Sequence, residues 1–273
     1  MNVETYFENI KSFKYLANKS LGQNFLINPE TAGKIVENLE VSDDDLVLEI
    51  GAGLGSLSIF LADKNAKTTL IDIDERMLTY LNEKFGDNPN IEIRRQNILK
   101  EDVSKYTKII GSLPYYITSS IIERLLLNAT NAKKIVLMTQ KEVYPKLLSN
   151  NISPLSLFLN YVADISSPIS VGRNNFIPIP HVDSVVFSLI PNDKIKNPEN
   201  KEVMKLMQKI FLHRRKTILN CLETITKDKK VAEDILIKMN VATNLRPEQL
   251  PIDFYLNLLK VLKSNDFMNK IIL

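Results

Sequence analysis

The 273-residue sequence has a single cysteine, Cys221, and two histidines, His181 and His213. One cysteine excludes an internal disulfide and a cysteine-built zinc site, and with so few soft ligands no metal site is expected. It also fits a reducing compartment, so a cytoplasmic location is expected. No apolar run reaches eighteen residues, so no membrane-spanning helix is expected. Residues 1–20 have no basic stretch followed by an apolar one, and no secretory leader is expected. There is no internal repeat and no low-complexity tract. Apolar and charged contents of 44% and 25% are ordinary for a globular protein, and the length suffices for one large domain and a smaller one.

Glycine is also sparse, with eight in the chain, yet three of them fall in five residues. Leu46 to Gly55 reads Leu-Val-Leu-Glu-Ile-Gly-Ala-Gly-Leu-Gly: a short buried strand broken by glycines at alternate positions. Glycine permits positive φ and close approach of backbone to a ligand. Apolar residues from Leu57 to Leu61 follow at helical spacing, so the glycines mark a strand-to-helix turn, where doubly wound α/β folds bind nucleotides. The dinucleotide fingerprint G-x-G-x-x-G is not met, since Gly51, Gly53 and Gly55 give G-x-G-x-G with Ser56 in the sixth place. Glu49 stands just ahead of the turn. A carboxylate is a poor neighbour for a pyrophosphate and a good one for a cation. S-adenosylmethionine has an ammonium, a sulfonium and no phosphate, so it is favoured over a dinucleotide.

Strand-like and helix-like stretches then alternate. Residues 1–15 suggest a short, loosely packed helix, and Asn28-Pro29 opens one running to about Leu39. Strands are expected over 68–73, 90–94, 108–111, 133–139, 165–171 and 182–190, and helices over 75–85, 118–127, 141–148 and 154–163. This predicts a mostly parallel sheet with helices on both faces. Past Pro191 the pattern changes: a polar linker over 192–200, then helices over 202–222, 231–240 and 252–262. The expected domains are 1–191, an α/β sheet domain of Rossmann-like type, and 192–273, a small all-helical one. From Pro191 onward Lys and Arg number 16 against 10 Asp and Glu, while the remainder holds 19 against 22. A basic C-terminal part favours phosphate-rich partners, although a solvated surface gives the same count.

Three strand ends beyond the glycine turn matter together. Asp72 ends the second strand, where a ribose-binding acid is expected. Asn97, past the third, can hydrogen-bond an adenine edge. Ser112-Leu113-Pro114-Tyr115 ends the fourth. Each alone reads as loop polarity, but all lie at successive carboxyl ends. An adenine 6-amino group is a weak nucleophile because its lone pair is delocalised. The Ser112 hydroxyl and the Leu113 carbonyl can favour its pyramidal form, Pro114 stiffens the turn, and Tyr115 offers a face for an unstacked base.

With these residues the chain resembles the KsgA-type small-subunit ribosomal RNA adenine dimethyltransferases, relatives of the Erm methyltransferases. The matching segments are Ser-Leu-Gly-Gln-Asn-Phe-Leu (20–26), Leu-Glu-Ile-Gly-Ala-Gly-Leu-Gly (48–55), Leu-Pro-Tyr-Tyr-Ile (113–117) and Gln-Lys-Glu-Val (140–143). Phe-Ile-Pro-Ile-Pro-His-Val-Asp-Ser (176–184) and Arg-Arg-Lys-Thr (214–217) complete a set that spans nearly the whole chain. The resemblance implies an S-adenosylmethionine-dependent methyltransferase sheet with a final antiparallel strand and a helical C-terminal domain. It implies a donor site lined by Asn24, Leu26, Gly51, Asp72, Asn97 and Ser112, to which the glycine turn adds Glu49 and Gly53. The family usually has Asp at 97 and Asn at 112. Asn97 keeps hydrogen-bonding capacity, and Ser112 replaces an amide carbonyl with a shorter hydroxyl.

One helix running through Leu212 to Thr217 would place Arg214, Arg215 and Lys216 consecutively for RNA phosphates. Erm relatives usually lack that segment, so the resemblance favours 16S RNA of the small ribosomal subunit or its precursor. The expected activity is dimethylation of two adjacent adenosines in the 3′-terminal hairpin loop, by a monomer. The rivals are an Erm-type 23S RNA enzyme, a DNA adenine methyltransferase, and an assembly factor with little catalysis.

Overall fold

The computed structural model describes residues 2–13, 17–18, 22–114, 117–148 and 152–264. Contacts divide the chain into two compact units, 1–145 with 163–195, and 146–162 with 196–273.

The first unit opens with helix α1 (Val3–Ser12), capped by Asn2, whose side chain accepts from the Thr5 N–H. The packing is tight, not loose as expected: Tyr6, Phe7 and Ile10 are buried. Their i, i+1, i+4 spacing makes a stripe that joins the main core. Strand β1 (Phe25–Leu26) and helix α2 (Pro29–Glu37) follow, the latter with Asn28 as cap and Pro29 in its first turn.

The sheet is built from β2 (Leu46–Ile50), β3 (Lys67–Asp72), β4 (Ile91–Arg95), β5 (Lys108–Ser112) and β6 (Lys134–Gln140). Between them run α3 (Ser58–Leu61), α4 (Glu75–Phe85) and α5 (Thr118–Asn128), and the turn α6 (Tyr144–Leu147) follows β6. The spatial order is β4-β3-β2-β5-β6, with β2–β3, β3–β4, β2–β5 and β5–β6 all parallel. The near-continuous burial of the central strands β2, β5 and β6 is what strands covered on both faces require, whereas the edge strand β4 has no fully buried residue. Strand order reverses between β2 and β5, which places the switch point at the glycine turn.

The last strands are antiparallel. The expected strand over 165–171 is two pieces, β7 (Ala163–Ile165) and β8 (Ile169–Val171), both pairing with β10 (Ser184–Pro191). The break is chemical: Ser166-Ser167-Pro168 lies between them, Pro168 has no N–H, and the Ser166 hydroxyl accepts from the Ser188 amide at 2.8 Å. Strand β10 also pairs with β6, aligning Ser184 with Gln140. Strand β9 (Phe176–Ile177) pairs with β1 as a separate two-stranded sheet.

In the second unit α7 (Pro154–Val162), which falls inside the expected 1–191 domain, packs with α8 (Asn200–Phe211) and α11 (Ile252–Ser264). The expected linker is ordered, with a 3-10 turn over Asp193–Lys196 that buries Ile195. The expected helix over 202–222 is broken. Helix α8 ends at Phe211, residues 212–216 form turns, and α9 (Ile218–Thr226) begins after its cap Thr217. A distant contact fixes the break: the Ile218 amide donates to the Leu245 carbonyl at 2.6 Å and so cannot continue the preceding helix. Helix α10 (Lys229–Lys238) also belongs to the unit and leaves Ile237 exposed.

Candidate active site

The glycine turn begins where β2 stops. Gly51, Gly53 and Gly55 have φ of +66°, +55° and +75°, a region L side chains rarely enter. Two of them are also crowded. A Cβ on Gly51 would lie 3.1 Å from the Ser112 carbonyl oxygen, and one on Gly55 would lie 2.4 Å from the Tyr6 hydroxyl. That hydroxyl donates to the Leu54 carbonyl at 2.6 Å, so α1 braces the turn from behind. The turn's own amides point elsewhere: Gly51 and Ala52 donate to the Ile71 carbonyl at the end of β3.

Asp72 closes this arrangement. Its carboxylate accepts from the Gly53 amide at 2.9 Å and from the Asp74 amide at 2.9 Å. Burial raises its pKa, and these backbone bonds oppose the rise. Glu49, 2% exposed, accepts from the Ser58 hydroxyl at 2.7 Å. Burial first, with the Asp72 charge adding, pushes its carboxyl up to about 8, against the Ser58 bond. Two carboxyls thus stand at the carboxyl ends of neighbouring strands, each in surroundings that penalise its charge.

These groups line a cavity of about 270 Å³ at the switch point, near the small end of ligand pockets (about 300 Å³ upward). Its lining holds Asn24, Leu26, Glu49, Gly51, Gly53, Asp72, Asn97, Ser112, Leu113 and Pro114 together. Tyr115 lies outside the described residues. Among the described residues the lining has no Lys, Arg or His.

Asn97 follows β4 and is exposed; its side-chain oxygen accepts from the Leu99 amide at 2.9 Å, capping a 3-10 turn over Ile98–Lys100. That leaves its NH₂ as the group free to face a ligand. Ser112 ends β5, and Leu113, whose side chain is buried, donates its amide to the Met138 carbonyl. The Pro114 carbonyl accepts from the Ile117 amide and from the Thr118 hydroxyl at the start of α5.

Several lining residues escaped sequence reasoning, among them Gln23, Gln96 and Thr139. Pairing in three dimensions brings them in. Phe25 lies opposite Ile177 and Leu26 opposite Phe176, so two segments 150 residues apart make one wall. The Ser56 hydroxyl donates to the Leu26 carbonyl at 2.7 Å and ties that wall to the glycine turn. Ser184 and Gln140 meet across β10 and β6, joining two further motifs. Arg214, Arg215 and Lys216 belong to the second unit, where all three are exposed in the turn between α8 and α9.

A family model described as ribosomal RNA adenine dimethylase matches residues 15–264. The chain belongs to the ribosomal RNA adenine dimethylase family. Within it, the chain is 36% identical over 265 residues to a ribosomal RNA small subunit methyltransferase A of Mycoplasma mycoides, covering 92% of this chain and 99% of the relative. A Bacillus pumilus protein of the same description is 34% identical over 277 residues, covering 94% and 95%. Among solved structures, a dimethyladenosine transferase from Plasmodium falciparum superposes with a TM-score of 0.74 at 27% identity, covering 87% of this chain and 96% of the other. The 23S rRNA methyltransferase ErmE superposes with a TM-score of 0.59 at 26% identity, covering 88% and 100%.

Proposed function

We propose that the chain transfers methyl groups from S-adenosylmethionine to the 6-amino groups of two adjacent adenosines in the 3′-terminal hairpin loop of 16S ribosomal RNA, within the small subunit or its precursor. The observation that carries this is the cavity itself. A glycine turn held at positive φ, two carboxyls on adjacent strand ends and, among the described residues, an otherwise uncharged lining suit a cationic nucleoside and suit a pyrophosphate poorly.

The donor supplies an electrophilic methyl on a sulfonium. The residues supply position. Asp72 accepts from the ribose hydroxyls, with its remaining lone pairs turned from the two backbone donors that orient it. Glu49 gives the positively charged end a carboxylate partner. Asn97, its oxygen spent on the Leu99 amide, donates its NH₂ to a ring nitrogen of the adenine. Asn24 and Leu26 form the wall opposite. Ser112 and the Leu113 carbonyl accept from the target amine, and Tyr115 stacks on the extruded base. Holding amine and methyl in line accounts for most of the rate. Arg214, Arg215 and Lys216 contact RNA phosphates, giving affinity, while loop shape and the splayed base give selectivity.

The test is transfer of labelled methyl to small ribosomal subunits that lack the modification, with large subunits and duplex DNA alongside. Incorporation at two neighbouring adenosines of the small subunit alone, lost in Tyr115→Ala, is expected. Incorporation into large subunits would instead mark an Erm-type enzyme, and subunit binding without incorporation an assembly factor.

A further inference from the structure

The loop that carries Asn24 has no long element behind it, because β1 is two residues. Pairing with β9 and the Ser56 hydroxyl hold its Phe25–Leu26 end, and a run of side chains centred on Gln23 holds the other. The Gln23 amide nitrogen donates to Asp74 Oδ2 at 2.9 Å, and its amide oxygen accepts from the Asn18 backbone N–H at 2.8 Å. The Gln23 backbone N–H donates to the Asn18 carbonyl at 3.3 Å. Both ends of the side chain are therefore engaged. Asp74 is gripped in turn by Arg76, whose Nε donates to Oδ1 at 3.0 Å and whose Nη2 donates to Oδ2 at 2.5 Å. The backbone amide of Asp74 donates to Asp72, the same carboxylate that holds Gly53. One unbroken series of bonds thus leads from the glycine turn through Asp72 and Asp74 to Gln23 and the Asn24 loop.

Asp74 and Arg76 do not line the cavity, whereas Gly22, Gln23, Asn24, Phe25 and Leu26 do. We propose that Gln23, Asp74 and Arg76 form a latch that sets segment 22–26 as a wall of the donor site, making Asp74 and Arg76 positioning residues for the donor. The proposal rests on the reading of this cavity as the donor site. A charged acceptor held bidentately is a stiff anchor. Asp74 also caps α4, its Oδ1 accepting from the Arg76 amide, so deletion alone would confound capping with latching. Reversing the polarity of the Gln23–Asp74 bond separates the two.

The experiment is calorimetric titration of the full chain with S-adenosylmethionine. Gln23→Glu sets a second carboxylate against Asp74 and should weaken the donor about tenfold, within the range of contacting-pair coupling. Adding Asp74→Asn restores a donor opposite the new carboxylate and keeps a good helix cap; the double variant should recover to within about threefold of wild type. Arg76→Met, which spares both the cap and Gln23, should weaken binding about threefold. Wild-type affinity in Gln23→Glu, or a double variant no tighter than the single, would overturn the latch; if Gln23→Glu does not fold, unchanged affinity in Arg76→Met does the same. A wild-type chain that binds no donor would instead overturn the donor-site reading.

Discussion

Glu49 offers a quantitative check on the electrostatics of the cavity. Its carboxyl has an ordinary value of 4.5 and is pushed up to about 8, mainly by burial. Between those values the folded chain holds a proton that the unfolded chain has released. Stability therefore falls as pH rises through this window, is full below about pH 4.5 and levels off above about pH 8. Each pH unit in the window costs about 1.4 kcal/mol, so the native state loses up to about 3 kcal/mol between pH 5 and pH 7 from this residue. Glu49→Gln copies the neutral form, and its amide oxygen can still accept from Ser58. The variant should match wild type near pH 5 and unfold at a higher temperature at pH 7 to 8, by several degrees for a protein of this size. Donor binding should show the opposite face of the same linkage. A cation favours the carboxylate, so wild type should release a proton on binding S-adenosylmethionine and bind it more tightly as pH rises from about 6 to 8. Glu49→Gln should bind weakly with little pH dependence. Thermal unfolding from pH 5 to 8, with calorimetry in two buffers of different ionisation enthalpy, measures both. Parallel pH profiles for wild type and variant would refute the assignment of a charge-penalising site to Glu49.

Gly55→Ala should lower stability by about 2 kcal/mol or more, because positive φ and a Cβ 2.4 Å from the Tyr6 hydroxyl are both unfavourable; chemical denaturation measures it. Ser112→Asn, which lengthens the polar group facing the target amine, should raise the single-turnover methyl-transfer rate, and a slower rate would count against that role. Replacing Arg214, Arg215 and Lys216 together by Ala should weaken subunit binding and reduce the slope of log affinity against log salt by about 2 to 3. Filter binding across a salt series reads that slope, and an unchanged slope would remove the three residues from the RNA contact.

The parallel half of the fold was legible because its signals are local. Helix α4 spans 75–85 as expected, since Asp74 caps it and its apolar spacing is regular. Strands β2 through β6 lie within a residue or two of their expected ends; the buried central ones read as short apolar runs, and the edge strand β4 as an alternation, Ile-Glu-Ile. Two of the readings that went astray turned on a distant partner. Thr217 caps α9, but residues 212–216 themselves suit a helix, and the Ile218 amide goes to Leu245. Helix α1 looked loose because the residue that anchors it, Tyr6, bonds to Leu54, 48 positions away.

The same division runs through the site. Asp72, Asn97 and Ser112 could be found by placing polar residues at successive strand ends, a rule that depends only on each strand's own pattern. Gln23 could not, because its place depends on β1 pairing with β9 across 150 residues and on an aspartate that, read locally, is a helix cap. Asp74 shows why such residues hide. One of its oxygens does the capping that the sequence announces, and the other holds Gln23, a bond no periodicity encodes. A site wall made by long-range pairing needs an anchor that is already rigid for another reason, and the first turn of α4 supplies one beside the carboxylate that orders the glycine turn.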